Sequence, residues 1–149
     1  MLLQEYLAGT GIRAGTTRWY GSGQTEDMTD AYDIHTEPLV GALQKLDVQR
    51  VIDETTGSWV NHTLCRVDDV VVRLGVLHGE FHWHKHDDED EFFLVLDGLM
   101  RIELEGGETV ELGPRQAVTV PKGMLHRPVV PERTSVLMIE KAGVVATGD

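Results

Sequence analysis

From Trp59 onward the apolar residues recur at every second position in short runs, and this period of two constrains the fold more than any other feature of the chain. Nine such segments, 59–65, 70–77, 79–86, 91–96, 99–104, 109–112, 117–120, 125–130 and 134–140, are rich in Val, Ile, Leu and Phe. Asp68-Asp69, Asp97-Gly98, Gly106-Gly107 and Pro131-Glu132 separate some of them as tight turns. Many short strands with little helix predict an all-β domain, closed as a barrel or folded as a sandwich. At 149 residues the chain fits one domain, large enough to bury about two-thirds of its unfolded surface.

The first part of the sequence reads differently. Residues 1–34 are rich in Gly, Thr, Ser and acid, and predict an N-terminal arm in which Trp19 and Tyr20 supply apolar surface able to dock on the barrel or on a partner subunit. Thr36 offers a helix N-cap, and Leu39, Val40, Leu43 and Leu46 recur at helical spacing, predicting one short amphipathic helix over 37–46. The domain proper is expected over 35–149.

Three histidines stand at alternate positions, His82, His84 and His86, and on a strand they share one face. Same-face neighbours lie roughly 6.5–7 Å apart along a strand, a span that two imidazoles can close on a metal ion between them. Glu91 follows after an acidic loop and opens the apolar run 92–96, so the returning chain can set a carboxylate beside the rings. Pro121, Gly123 and His126 form a turn that delivers another imidazole to the start of a strand.

Taken together, His84-x-His86-x4-Glu91-x6-Gly98 and Pro121-x-Gly123-x2-His126 resemble the two motifs of the cupin superfamily, over roughly residues 67–140. The family's glycine six residues before Pro121 falls on Arg115 here, and that six before the first ligand falls on His78. The resemblance implies a small jelly-roll-like β-barrel in which His84, His86, Glu91 and His126 hold one divalent metal ion. It also implies a homodimer packed sheet to sheet. The general shape is similar to the single-domain cupins labelled mannose-6-phosphate-isomerase-like. His82 lies outside the ligand pattern and is the candidate for moving a proton or lining the pocket. His35, His62 and His78 carry no such pattern and are expected on the surface or in packing.

Charge and composition narrow the partners. Acids outnumber bases 25 to 13, which opposes binding to nucleic acid or anionic membranes. The single cysteine, Cys65, excludes an intrachain disulfide, and with no long apolar run or leader pattern the chain is expected to be soluble and cytoplasmic. The acidic run 87–91 places negative potential at the edge of the site, felt over about 8–10 Å, which draws cations in and disfavours a phosphorylated sugar.

Three neutral imidazoles and one carboxylate suit iron, manganese, nickel, zinc or copper without choosing among them. The expectation is therefore a metal-dependent enzyme acting on a small polar, oxygen-rich molecule, by Lewis-acid isomerisation, cyclisation or lyase chemistry or by iron-dependent oxygenation. The competing expectation is a metal-stiffened barrel that binds or senses a small molecule without turnover.

Overall fold

The structure is a computed structural model, and it describes residues 32–149. Among the described residues eight strands make one sheet: β1 (Asp33–His35), β2 (Trp59–Val67), β3 (Val70–Glu80), β4 (Glu91–Asp97), β5 (Met100–Leu104), β6 (Thr109–Leu112), β7 (Ala117–Val120) and β8 (His126–Lys141). The main path runs β1-β2-β3-β8-β4-β7, with β5 pairing both β6 and β8. The all-β expectation holds, in a jelly-roll-like form whose sheet does not close on itself. Among the described residues no helix is long and apolar enough to cross a membrane.

Alternation along the strands sorts side chains onto two faces. One face buries Trp59, Leu77, Phe93, Val95, Met100, Ile102, Val136 and Met138 as an inner core, and the candidate site opens beside it. The other face of β2 and β3 carries Leu64, Leu74 and Val76, covered by Leu39, Val51 and Ile52.

Two expected boundaries merge. Segments 70–77 and 79–86 form the single strand β3 as far as Glu80, with a register shift between Leu77 and Gly79. Gly79 there takes a φ of 109°, and the chain beyond Glu80 leaves regular pairing. Likewise 125–130 and 134–140 are one long strand, β8. Val130 pairs with Gly79 and Thr134 with Leu77, so Pro131, Glu132 and Arg133 bulge out opposite His78 instead of turning the chain back.

The helix expected over 37–46 is absent. Leu39 and Val40 instead donate backbone hydrogen bonds to Thr63 O and Leu64 O, at 2.9 and 3.1 Å, continuing the β1 pairing along the edge of β2. A helix there would leave those edge carbonyls unpaired, and the sheet edge wins. Leu43, counted at helical spacing, is fully exposed at a φ of 62°. The helix forms further on, as α1 (Val48–Glu54), where Asp47 caps the N-terminus by accepting from Arg50 N at 3.2 Å. Val51 and Ile52 are its buried face. The N-terminal arm, with Trp19 and Tyr20, lies outside the described residues except for 32–34.

Arg115, at the family's glycine position, sits at a φ of 66°. Gln116 N donates to Gly113 O at 3.1 Å, so Gly113-Pro114-Arg115-Gln116 is a β-turn whose third residue needs a positive φ. A left-handed L-residue costs roughly 1–2 kcal/mol, partly offset in a glycine by about 0.4–1 kcal/mol of unfolded-chain entropy. Arg115→Gly is thus expected to stabilise the fold by up to about 1 kcal/mol, read as a raised urea midpoint; a lowered midpoint would contradict the turn assignment.

Candidate metal centre

The chain after β3 runs antiparallel to the start of β8, so His84 and His126 come face to face. Their backbones exchange hydrogen bonds of 3.0 and 2.9 Å, and their ring centroids lie 4.3 Å apart. Each ring is oriented by a carbonyl two residues back: His84 Nδ1 lies 3.1 Å from His82 O, and His126 Nδ1 lies 2.9 Å from Met124 O. An imidazole donating through Nδ1 carries its lone pair on Nε2, so both rings present an acceptor to the interior.

Glu91 opens β4, opposite Val120 in β7, next to the turn that carries Pro121 and Gly123. That turn is tied to the acidic loop twice: Gly123 N donates to His86 O at 2.7 Å, and Lys122 N donates to Asp90 Oδ1 at 2.9 Å. Gly123 takes a φ of 77°, the conformation the turn requires. The result places Glu91 Oε2 3.5 Å from both His86 Nε2 and His126 Nε2. His84, His86, Glu91 and His126 are all buried. Among the described residues, His86 Nδ1 and Nε2, His126 Nε2 and Glu91 Oε2 have no hydrogen-bond partner.

Buried polar atoms without partners are costly and uncommon, and here they converge. His84, Glu91 and His126 offer ligand atoms within 4.8 Å of one another, as do His86, Glu91 and Glu140. A cation at this point would satisfy His126 Nε2, Glu91 Oε2 and one ring nitrogen of His86 together, so the donor set fits a divalent metal ion.

The electrostatics follow from burial and neighbours. Burial acts to raise the Glu91 pKa, but His126 and His86 outweigh it and hold the carboxyl at about 2. His84 is pulled down to about 4, first by burial and then by His126 beside it. For His86 burial also acts downward, yet Glu91 carries its pKa above the ordinary value. Glu140 is pushed up to about 7 by burial and by the charge of Glu91, against the pull of Arg73.

His82 does not join the cluster. Its Nε2 lies 2.7 Å from Thr147 O and its Nδ1 3.4 Å from Tyr32 Oη, with the ring against Phe81. The contact with Thr147 belongs to a C-terminal strap that the sequence reading missed. Asp149 N donates to Lys85 O at 3.0 Å, and Asp149 Oδ2 accepts from Asp87 N at 2.8 Å. Gly148 lies so close that a Cβ there would come within 2.6 Å of His84 Cβ. A small cavity of about 30 Å³ touches Trp59, Asn61, Phe81, His84 and Glu91, and Ala146 of the strap closes part of its wall. Trp83 faces outward, with Arg127 Cζ 5.2 Å from its ring centre. His35 and His62 stack on one another 4.9 Å apart, away from the cluster, and His78 is exposed.

Arg73 and Glu140 are the other residues missed. Both are buried and paired, on adjacent strands and on the inner face. Their only trace in the sequence is a charged residue at an inward position of an otherwise apolar strand, Arg73 within 70–77 and Glu140 at the end of 134–140.

Comparison with known proteins agrees with this geometry. The Cupin domain family pattern matches residues 70–140. An uncharacterized protein of Bacillus subtilis, YdbB, is 37% identical over 90 residues, covering 60% of this chain and 80% of the relative. A cupin-2 domain protein of Shewanella frigidimarina superposes with a TM-score of 0.61 at 26% identity, over 64% of this chain and 93% of that one. KdgF from a Halomonas species superposes with a TM-score of 0.51 at 22% identity, over 56% of this chain and 80% of that one, a likeness of fold. The two motifs, the jelly-roll-like sheet and these matches agree: this chain belongs to the cupin family, in its small single-domain form.

Proposed function

We propose that the protein binds one divalent transition metal ion through His84, His86, Glu91 and His126, and uses it on a small polar, oxygen-rich molecule. The observation that carries this reading is the convergence of unpartnered, buried donor atoms from three separate segments of the chain. With three neutral imidazoles and one carboxylate, a divalent ion keeps a net charge of +1 and would supply Lewis-acid polarisation, or oxygen chemistry if it were iron. The protein's own part is to fix the ligand tautomers through His82 O and Met124 O and to keep the interior largely dry. Access is from the cavity side, where His84 and Glu91 meet the wall formed by Ala146.

A second reading, binding or sensing without turnover, draws support from the size of that cavity. At about 30 Å³ it holds only a water or two with the strap in place. Elemental analysis of protein purified without added metal, followed by a screen of hydroxy-carbonyl and polyol compounds, tests both readings. Stoichiometric metal with product formation supports the enzyme, metal with binding alone supports the sensor, and no metal under any loading condition removes both.

We also propose a homodimer, because the outer face of the sheet keeps apolar residues at its surface. Ile139 is exposed, next to the half-buried Phe92, its neighbour across β4 and β8. Light scattering at micromolar concentration should report twice the chain mass, and a monomer would count against this assembly.

A further inference from the structure

The inner face holds one charged pair that the four-residue site leaves unused, Arg73 on β3 and Glu140 on β8. Their side chains are 5% and 3% exposed, so both charges are almost wholly withdrawn from water. They form an ion pair through Arg73 Nε and Glu140 Oε1, in a geometry short of a good hydrogen bond, and Arg73 Nη1 has no hydrogen-bond partner among the described residues. Arg73 is therefore the charge partner of Glu140. Glu140, His86 and Glu91 offer ligand atoms within 4.8 Å of one another, and Glu91 is shared with the group formed by His84 and His126. Ligands of one ion at about 2.1 Å stand from about 3.0 Å (adjacent) to about 4.2 Å (opposite) apart, so side-chain shifts of up to about an ångström bring all three onto a common ion. Two buried carboxylates this close repel each other, and one arginine cannot neutralise both.

We propose that Glu140 is a fifth ligand of the metal centre, charge-paired with Arg73 and filling one of the two positions that His84, His86, Glu91 and His126 leave on a six-coordinate ion. The inference rests on the metal reading above and extends it. It narrows the chemistry, because an ion so held keeps one open position, room for a substrate bound through a single oxygen and not for chelation through two.

Cobalt(II) titration tests this, since the visible spectrum of the bound ion reports its ligands and not merely its affinity. Glu140→Gln should bind Co²⁺ at least about tenfold more weakly than the unaltered protein, with a changed spectrum per bound ion. Because this substitution strands a buried arginine, the pair Arg73→Met and Arg73→Met/Glu140→Gln gives the same comparison with the stranded charge removed. The single Arg73→Met variant should keep the original spectrum and the double variant should lose it. A spectrum unchanged by loss of the carboxylate, whatever the affinity, overturns the ligand role and leaves Glu140 as the counter-ion of Arg73, with the four-residue site intact. Failure of the unaltered protein to take up Co²⁺ overturns the metal reading and the fifth ligand together.

Discussion

Replacing His126 with alanine is expected to lower metal affinity by at least about 100-fold while the sheet remains folded. Structural four-ligand zinc sites bind with about 10–16 kcal/mol in all, so one ligand of four accounts for roughly 3 kcal/mol, on the order of two decades. His126 is 1% exposed, and its Nε2 reaches Glu91 Oε2 across 3.5 Å, so the loss also strips Glu91 of one of its two imidazole neighbours. The fold survives because the bridge to His84 is made by the backbone and the inner core is built from aliphatic and aromatic side chains elsewhere. The cavity left behind adds a destabilisation of a few kcal/mol, visible in a thermal melt. His126→Gln, nearer in volume, separates that cost from the loss of a ligand nitrogen. His84→Ala should behave alike, and equilibrium dialysis with elemental analysis reads both. Full occupancy in both alanine variants would falsify the site.

The four family positions were legible before any fold was known because their spacing is local. Two histidines one residue apart on a strip, a carboxylate at the next strand's start and a histidine after a Pro-x-Gly turn each carry their geometry in the sequence. Arg73 and Glu140 were not legible for the opposite reason. Each is a single charge in an apolar strand, and only the register of β3 against β8 brings them together and puts both on the inner face. The helix was misplaced because Leu39, Val40, Leu43 and Leu46 satisfy a helical period equally well as an irregular segment, while the unpaired edge of β2 that captures Leu39 and Val40 is a property of the assembled sheet. Asp47, three residues before Arg50, carried the true cap signal on a segment only seven residues long. At the merged strands, turn residues marked bulges, which disrupt pairing without reversing the chain. The strap at Ala146–Asp149 has no periodicity to betray it, and its hydrogen bonds with His82, Lys85 and Asp87 exist only once the ligand segment is in place.

Metal affinity is expected to fall by at least about 30-fold between pH 8 and pH 5, and the burial of the ligands decides where the fall begins. Ligand nitrogens must be unprotonated to bind, so affinity drops as pH falls through the pKa each has in the metal-free fold. Three ordinary imidazoles would all compete with the ion from about pH 6.5 downward. The fold separates them. His84, held at about 4, stays neutral and adds no competition until the solution is well below pH 5. His86, raised by Glu91, starts to hold its proton above the ordinary value, so the loss begins nearer neutrality and proceeds at about tenfold per pH unit. Glu91, at about 2, remains charged throughout. Glu140, at about 7, keeps a proton in the metal-free fold across the acid range, and an ion drawing on its carboxylate would have to displace that proton as well, steepening the slope. The same shifts act on the stability of the metal-free protein with separable signs. Glu91 stabilises the fold above its unfolded pKa of about 4.3, and that contribution is lost as pH falls toward 2; Glu140, protonated in the fold where the unfolded chain is ionised, makes stability decline as pH rises from about 4.5 to 7. Calorimetric titration with a transition metal ion at pH 8, 6.5 and 5 measures the affinities and, from buffers of different ionisation heat, the protons released. An affinity that stays level over this range would exclude His86 as a ligand.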